Sequence, residues 1–187
     1  HGSPAGSTLF GDDEYLFVVG SSGNECQVLR ALDGQRLGTR KLPPEHQRLV
    51  TFGRFIVSWS TVNNRQVLAM HDVFKDEELW RHDFNPGSLA CLVGSDEVAV
   101  LSTNGQFKLV SMATGNVKID NVVKLEPNTN EMYVLRNSQG YVLVTSRPWQ
   151  ANNQVGFVNA VNGGIDNPVV NGQVHGFTPE GKLAWST

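Results

Sequence analysis

The residues best suited to chemistry in this 187-residue sequence are its histidines and its two cysteines. The five histidines stand at positions 1, 46, 71, 82 and 175. They form no His-x-His or His-x₃-His spacing, which would present two ligands to one metal ion. Cys26 and Cys91 are too far apart for a CxxC metal or redox motif. The sequence therefore predicts no metal site and leaves open whether the two thiols pair.

Acidic residues cluster at Asp12–Glu14 and at Asp76–Glu78. Both clusters coincide with predicted turns or strand ends, where acidic side chains are common. Neither has the alternating oxygen ligands and the glycine pivot of a calcium loop. The sequence also lacks the Gly-x-Ser-x-Gly elbow of a hydrolase, a phosphate-binding P-loop and a GxGxxG dinucleotide motif. We therefore expect no catalytic, cofactor-binding or metal-binding residues in this chain, and no cofactor.

Charge and hydropathy restrict the class of partner. The chain has 18 acidic and 15 basic residues, for a net charge of −3, and its basic residues are scattered. Nucleic-acid-binding domains usually carry a basic surface, so we expect no nucleic-acid partner. No apolar run approaches the roughly 18 residues of a membrane-spanning helix. Residues 1–7 have neither a basic nor an apolar region and are interpreted as a tag or linker remnant.

The elements that must position any functional residue are predicted to be strands. Short apolar runs rich in β-branched and aromatic residues alternate with turns rich in Asn and Gly. The sharpest turn signal is Asn104-Gly105, which predicts a type I′ hairpin with positive φ at both residues. No window has the apolar spacing of an amphipathic helix. The predicted fold class is therefore all-β.

A short turn recurs along the chain and is followed four positions later by an anchor position. The turn residues are Gly34, Asp76, Gly115 and Gly181, at intervals of 42, 39 and 66 residues. The anchor positions hold Gly38, Trp80, Ile119 and Trp185. A period near 40 residues is typical of propeller blades with four antiparallel strands. The spacing predicts four blades, at about 8–42, 49–84, 88–123 and 131–187, with an insertion at 148–171 in the fourth.

Two of these repeats carry a family resemblance. Gly181-Lys-Leu-Ala-Trp185 and Asp76-Glu-Glu-Leu-Trp80 resemble the tryptophan-docking repeat of the quinoprotein alcohol dehydrogenase-like β-propellers, whose repeats are called PQQ-like. The repeat type is similar to that of the outer-membrane assembly lipoprotein propeller, and its architecture is WD40-like.

The resemblance implies Trp80 and Trp185 as structural anchors, with Gly34, Gly115 and Gly181 shaping the turns. It also implies looser or differently packed junctions where the tryptophan is absent. Propellers of this family usually have more than four blades, so we expect a partial ring or a fragment of a larger propeller. Many of them are exported, which favours a periplasmic or other extracytoplasmic location.

The sequence favours a non-catalytic scaffold or protein-interaction module, although it leaves enzymatic activity open. One alternative is a fragment of a quinone-dependent dehydrogenase whose active site lies outside this chain, and another is a glycan-binding propeller. Loops carry binding residues more often than framework strands do, so Arg147, Trp149 and Phe157 are the candidate partner contacts. An alternative prediction is that the insertion only extends a hairpin and adds a strand near 154–159. Expected partners are another protein, the remainder of the parent protein, or a second copy meeting open blade edges.

Overall fold

The computed structural model describes residues 8–20, 23, 25–42, 46–151, 154–156 and 171–187. Every regular element in this described part is a β-strand. The chain divides into two compact units, His1–Phe84 and Asn85–Thr187, which are described separately. Among the described residues, none forms a helix long and apolar enough to cross a membrane.

The first unit contains two four-stranded antiparallel sheets, and in each the strands are paired in chain order. The strands of sheet 1 are β1 (Thr8–Gly11), β2 (Tyr15–Val19), β3 (Glu25–Arg30) and β4 (Arg36–Lys41). Those of sheet 2 are β5 (His46–Phe52), β6 (Phe55–Val62), β7 (Arg65–Asp72) and β8 (Glu77–Phe84).

The second unit repeats this arrangement in sheets 3 and 4. The strands of sheet 3 are β9 (Leu89–Val93), β10 (Glu97–Leu101), β11 (Gln106–Ser111) and β12 (Val117–Val122). Those of sheet 4 are β13 (Glu131–Asn137), β14 (Gly140–Ser146), β17 (Val174–Phe177) and β18 (Leu183–Ser186). A two-stranded hairpin, β15 (Trp149–Ala151) and β16 (Gln154–Gly156), lies between β14 and β17 in the chain. The predicted all-β class with four four-stranded sheets is confirmed.

Each unit has an apolar core between its two sheets, because alternate residues of a strand point to opposite faces. In the first unit, Phe17 and Val28 of sheet 1 pack with Ile56 of sheet 2. In the second unit, Leu109 of sheet 3 packs in one cluster with Leu143 of sheet 4. Face-to-face packing of consecutive sheets therefore holds each unit together.

The turns differ from the sequence prediction in one detail. A hairpin does join β10 to β11 at Asn104-Gly105, but only Gly105 has a positive φ, of 87°. The N–H of Gly105 donates to the carbonyl of Ser102 at 2.9 Å, as in a longer loop that ends in one left-handed glycine. The predicted type I′ turn was wrong here. Two consecutive positive φ values, 48° and 60°, occur instead at Asn63 and Asn64, between β6 and β7.

Candidate functional site

A groove of about 780 Å³ opens beside sheet 4, where the loop before β13 meets the ends of the insertion. Its lining combines amide, hydroxyl, guanidinium and proline side chains. The lining residues are Pro127, Asn128, Thr129, Asn130, Arg147, Pro148 and Asn171. The volume lies within the range of small-molecule and peptide-binding clefts. The groove is therefore a candidate contact surface for a ligand or a partner.

The loop before β13 is fixed by its own hydrogen bonds. The hydroxyl of Thr129 donates to the carbonyl of Glu126 at 2.8 Å, and the N–H of Asn130 donates to the carbonyl of Ser146 at 3.1 Å. Asn128 adopts a left-handed φ of 65°, which asparagine tolerates better than most residues. Within the described residues, no hydrogen bond is formed by the side-chain amides of Asn128 and Asn130. These amides offer donors and acceptors in a preformed loop.

Arg147 and Asn171 close the base of the insertion. The N–H of Arg147 donates to the carbonyl of Asn171 at 3.1 Å, and its Nε lies 2.8 Å from Oε2 of Glu126. The side-chain nitrogen Nδ2 of Asn171 donates to the backbone carbonyls of Arg147 and Pro148, each at 3.4 Å. The guanidinium charge is therefore balanced locally by Glu126, and the groove carries little net charge.

Of the three partner contacts expected from the sequence, Arg147 lines this groove. The backbone of Trp149 begins β15, but its side chain and the whole of Phe157 lie outside the described residues. Their roles remain predictions. The groove residues Asn128 and Asn130 were not predicted from the sequence, because only the fold places their loop beside Arg147. By itself, a Pro-Asn-Thr-Asn segment predicts only a turn.

The four turn residues found in the sequence share one backbone conformation. Gly34, Gly115 and Gly181 have φ values of 69°, 71° and 83°, and Asp76 has 56°. Only glycine adopts such a conformation without steric cost. A left-handed residue therefore stands at the same place in the turn before each outermost strand.

The anchor position of sheet 1 has an unexpected occupant. A Cβ on Gly38 would lie 3.0 Å from Nη1 of Arg40, so the arginine side chain already fills the space beside the glycine. The guanidinium of Arg40 also lies 5.3 Å from the ring centroid of Phe74, in the segment after β7. Arg40 thus packs where a tryptophan anchor is missing, through a cation–π contact.

The anchor positions of the second unit differ in burial. Ile119 is buried in the core between sheets 3 and 4. Trp185 lies across Gly176 of the neighbouring strand, since a Cβ on this glycine would meet the indole at 2.3 Å. The Trp185 side chain is 49% exposed, because it lies on the face of sheet 4 turned away from sheet 3.

A buried carboxylate joins sheets 3 and 4. Glu97, at the start of β10, is fully buried. It accepts a hydrogen bond from the hydroxyl of Tyr141 at 3.0 Å and pairs with Arg136 at 3.2 Å and with Lys118. Tyr141 and Arg136 belong to sheet 4, whereas Lys118 belongs to sheet 3. The carboxylate therefore binds cations from both sheets, and the side-chain hydrogen bond to Glu97 raises the pKa of Lys118.

The acidic cluster at Asp12–Glu14 also has a structural role. Oδ1 of Asp12 accepts hydrogen bonds from the backbone N–H groups of Glu14 and Tyr15 at 2.9 and 3.0 Å. Oδ2 accepts a hydrogen bond from the backbone N–H of Gly53, in the first turn of sheet 2. Partial burial would raise the pKa of Asp12, but these hydrogen bonds outweigh it and lower the pKa below 3.8. The side chain joins the first turn of sheet 1 to that of sheet 2.

Burial favours the uncharged forms of both cysteines and of His175. Burial raises the pKa of both Cys26 and Cys91 to about 11, and both thiols are free. Burial also lowers the pKa of His175, whose Nδ1 lies 2.8 Å from the hydroxyl of Ser186. Among the described residues, no three His, Cys, Asp or Glu side chains form a group that could hold a metal ion.

The repeated sheets define the class of protein as a β-propeller. No protein-family model and no curated protein matches the sequence. A chain of the S. cerevisiae Dbp5 complex with Nup159 and Gle1 is similar over 91% of this chain and 44% of its own, at 12% identity and a TM-score of 0.50. At this identity the likeness concerns the fold alone.

Two further solved structures are similar at lower scores. BamB from Moraxella catarrhalis matches at 11% identity, over 96% of this chain and 48% of its own, with a TM-score of 0.45. The C-terminal WD40 domain of Sif2 matches at 14% identity, over 94% of this chain and 45% of its own, with a TM-score of 0.49. This chain therefore spans less than half of the length of each of these solved chains.

Proposed function

We propose that this chain is a non-catalytic β-propeller module of the PQQ-like repeat type, and that it binds a protein partner at the groove beside sheet 4. The observation that carries the proposal is the groove itself, which combines a hydrogen-bonded loop with asparagine side chains that form no hydrogen bond to any residue the structure describes. The PQQ-like assignment is supported by the left-handed turn residue at four repeats and by the Gly-Lys-Leu-Ala-Trp sequence ending at Trp185.

The groove suits an extended peptide segment better than a charged ligand. Asn128 and Asn130 can each donate and accept hydrogen bonds, which matches the alternating groups of a peptide backbone. Pro127 and Pro148 supply apolar walls without N–H groups that would need a partner. The charge of Arg147 is already offset by Glu126, so a strongly anionic ligand would gain little.

Affinity capture from cells that produce the protein tests this function. The wild-type chain is compared with Asn130→Ala and Arg147→Ala, and with Arg65→Ala as a control for an exposed arginine in the other unit. We expect one protein to be recovered by the wild type and the Arg65 variant, and to be reduced at least tenfold with both groove variants.

Equal recovery by all four proteins would refute the groove as the contact surface. Circular dichroism of each variant establishes that it is folded. Asn130→Ala removes only an amide that has no hydrogen bond within the described residues, so it separates lost binding from a disturbed loop.

A further inference from the structure

The middle of the sheet 4 face that is turned away from sheet 3 is apolar and partly exposed, although Val144 on the same face is buried. Strand pairing places Leu135, Val142, Gly176 and Trp185 opposite one another in a single row across its four strands. Leu135 is 44% exposed and Trp185 is 49% exposed, whereas Val142 between them is half-buried. Contiguous apolar surface of this kind usually marks a contact surface.

The equivalent row of sheet 3 is covered. Cys91, Ala99, Leu109 and Ile119 are paired in the same way across its four strands. A register shift follows the third residue of this row, as it does in the row of sheet 4. The row of sheet 3 packs under sheet 4 in the core of the second unit. The row on sheet 4 is therefore equivalent to a row that, in sheet 3, is covered by the next sheet. We call such a face a receiving face.

Sheet 1 follows the same rule. Its row is Phe10, Phe17, Val28 and Gly38, with the register shift again after the third residue. This row packs against Ile56 of sheet 2 and against Val73 and Phe74, which follow β7. In both units, one particular face of a sheet is thus covered by the next sheet along the chain.

The opposite face of a sheet packs against the preceding sheet in the chain, and we call it the covering face. In sheet 4 this face includes the pair Val134 and Leu143, which are buried against sheet 3. The equivalent pair in sheet 1 is Leu9 and Val18. Leu9 is 62% exposed, and Val18 is half-buried. Among the described residues, an exposed receiving face therefore lies on sheet 4 of the second unit, and an exposed covering face lies on sheet 1 of the first unit.

We propose that a second copy of this chain docks on the first, with sheet 1 of one copy covering the exposed row of sheet 4 on the other. The occupant follows from the repeat, since the interface would continue the packing already present within each unit. The two surfaces differ, so the contact is heterologous, and successive contacts either close into a ring or extend into a chain. This surface is separate from the groove beside sheet 4.

Disulfide trapping between two variants, each with one added cysteine, tests the contact. Innermost strands of neighbouring sheets meet in both units, so residues on β1 and β13 are the ones to join. Leu9→Cys and Leu135→Cys are mixed under mild oxidation, and Leu32→Cys with Leu135→Cys is the control, because Leu32 is an 88% exposed turn residue outside both faces. The native thiols of Cys26 and Cys91 react slowly with the added cysteines, because burial raises the pKa of each to about 11.

We expect a disulfide-linked dimer from the Leu9 and Leu135 mixture and only background from the control. Light scattering should also show a mass that rises with concentration, and Leu135→Arg should raise the dissociation constant about tenfold or more while Leu32→Arg leaves it unchanged. A chain that stays monomeric would overturn the proposal. So would a Leu135→Cys dimer formed as readily alone, or an internal disulfide in a monomeric double variant.

Discussion

Removal of the buried carboxylate between sheets 3 and 4 is expected to destabilise the second unit strongly. Glu97→Ala leaves the buried hydroxyl of Tyr141 without its acceptor, which costs about 1–3 kcal/mol. One buried methylene, the Cγ group, is also lost, at roughly 0.8 kcal/mol. The ammonium of Lys118 is half exposed and regains water, so its pair adds only about 0–1 kcal/mol. The expected loss is about 2–5 kcal/mol.

Glu97→Gln separates the charge from the hydrogen bond. The amide oxygen of glutamine can still accept from Tyr141, so we expect this variant to lose only about 1 kcal/mol. Asp120→Ala is the control, because Asp120 forms an exposed pair with Lys108 at 3.3 Å on the same sheet and should change stability by less than about 0.5 kcal/mol.

Urea unfolding measures these differences, and native-state hydrogen exchange assigns them to the second unit. Amides of β10, β13 and β14 should lose protection in Glu97→Ala, while those of β6 and β7 keep it. If Glu97→Ala unfolds at the same urea concentration as the wild type, or if Asp120→Ala costs as much, the buried ion pair is not what holds the two sheets together.

Two further predictions concern sheet 4. Gly176→Ala would place a methyl group against the indole of Trp185, so we expect a loss of about 1–3 kcal/mol and a changed tryptophan emission. Gly20→Ala, which meets nothing within 4 Å, is its control and should change neither. Burial lowers the pKa of His175 below 6.5, so the unfolded chain binds more protons and stability falls as the pH drops below 6.5 through the folded-state value. Thermal melts of His175→Asn, which can still form a hydrogen bond with Ser186, should show a weaker dependence on pH; an unchanged profile would contradict this assignment.

Much of the fold can be predicted from local patterns in the sequence. The alternation of apolar and polar residues and the frequent Asn and Gly turns indicate strands, because side-chain direction along a strand repeats every two residues. The recurring turn residue indicates four repeats, since a left-handed φ at that position favours glycine. The turn type at Asn104-Gly105 was predicted wrongly, because loop length as well as residue type selects the turn.

The candidate site was predictable only in part. Arg147 can be predicted from its position next to the insertion in the sequence. Asn128 and Asn130 cannot, because only the fold brings the loop before β13 next to Arg147. The space beside Gly38 is filled by Arg40, two residues further along, and glycine at an anchor position gives no indication of this.

The sequence determined the strands, the positions of the turns and the number of repeats, because these depend on neighbours within a few residues. Only the tertiary structure decided which side chains meet between sheets. Glu97 contacts Lys118, Arg136 and Tyr141 at separations of 21, 39 and 44 residues, so its role depends on the packing of two whole sheets. The same holds for Trp185, which was expected at a junction between blades. Its burial depends on what covers sheet 4, and in this chain Trp185 is 49% exposed.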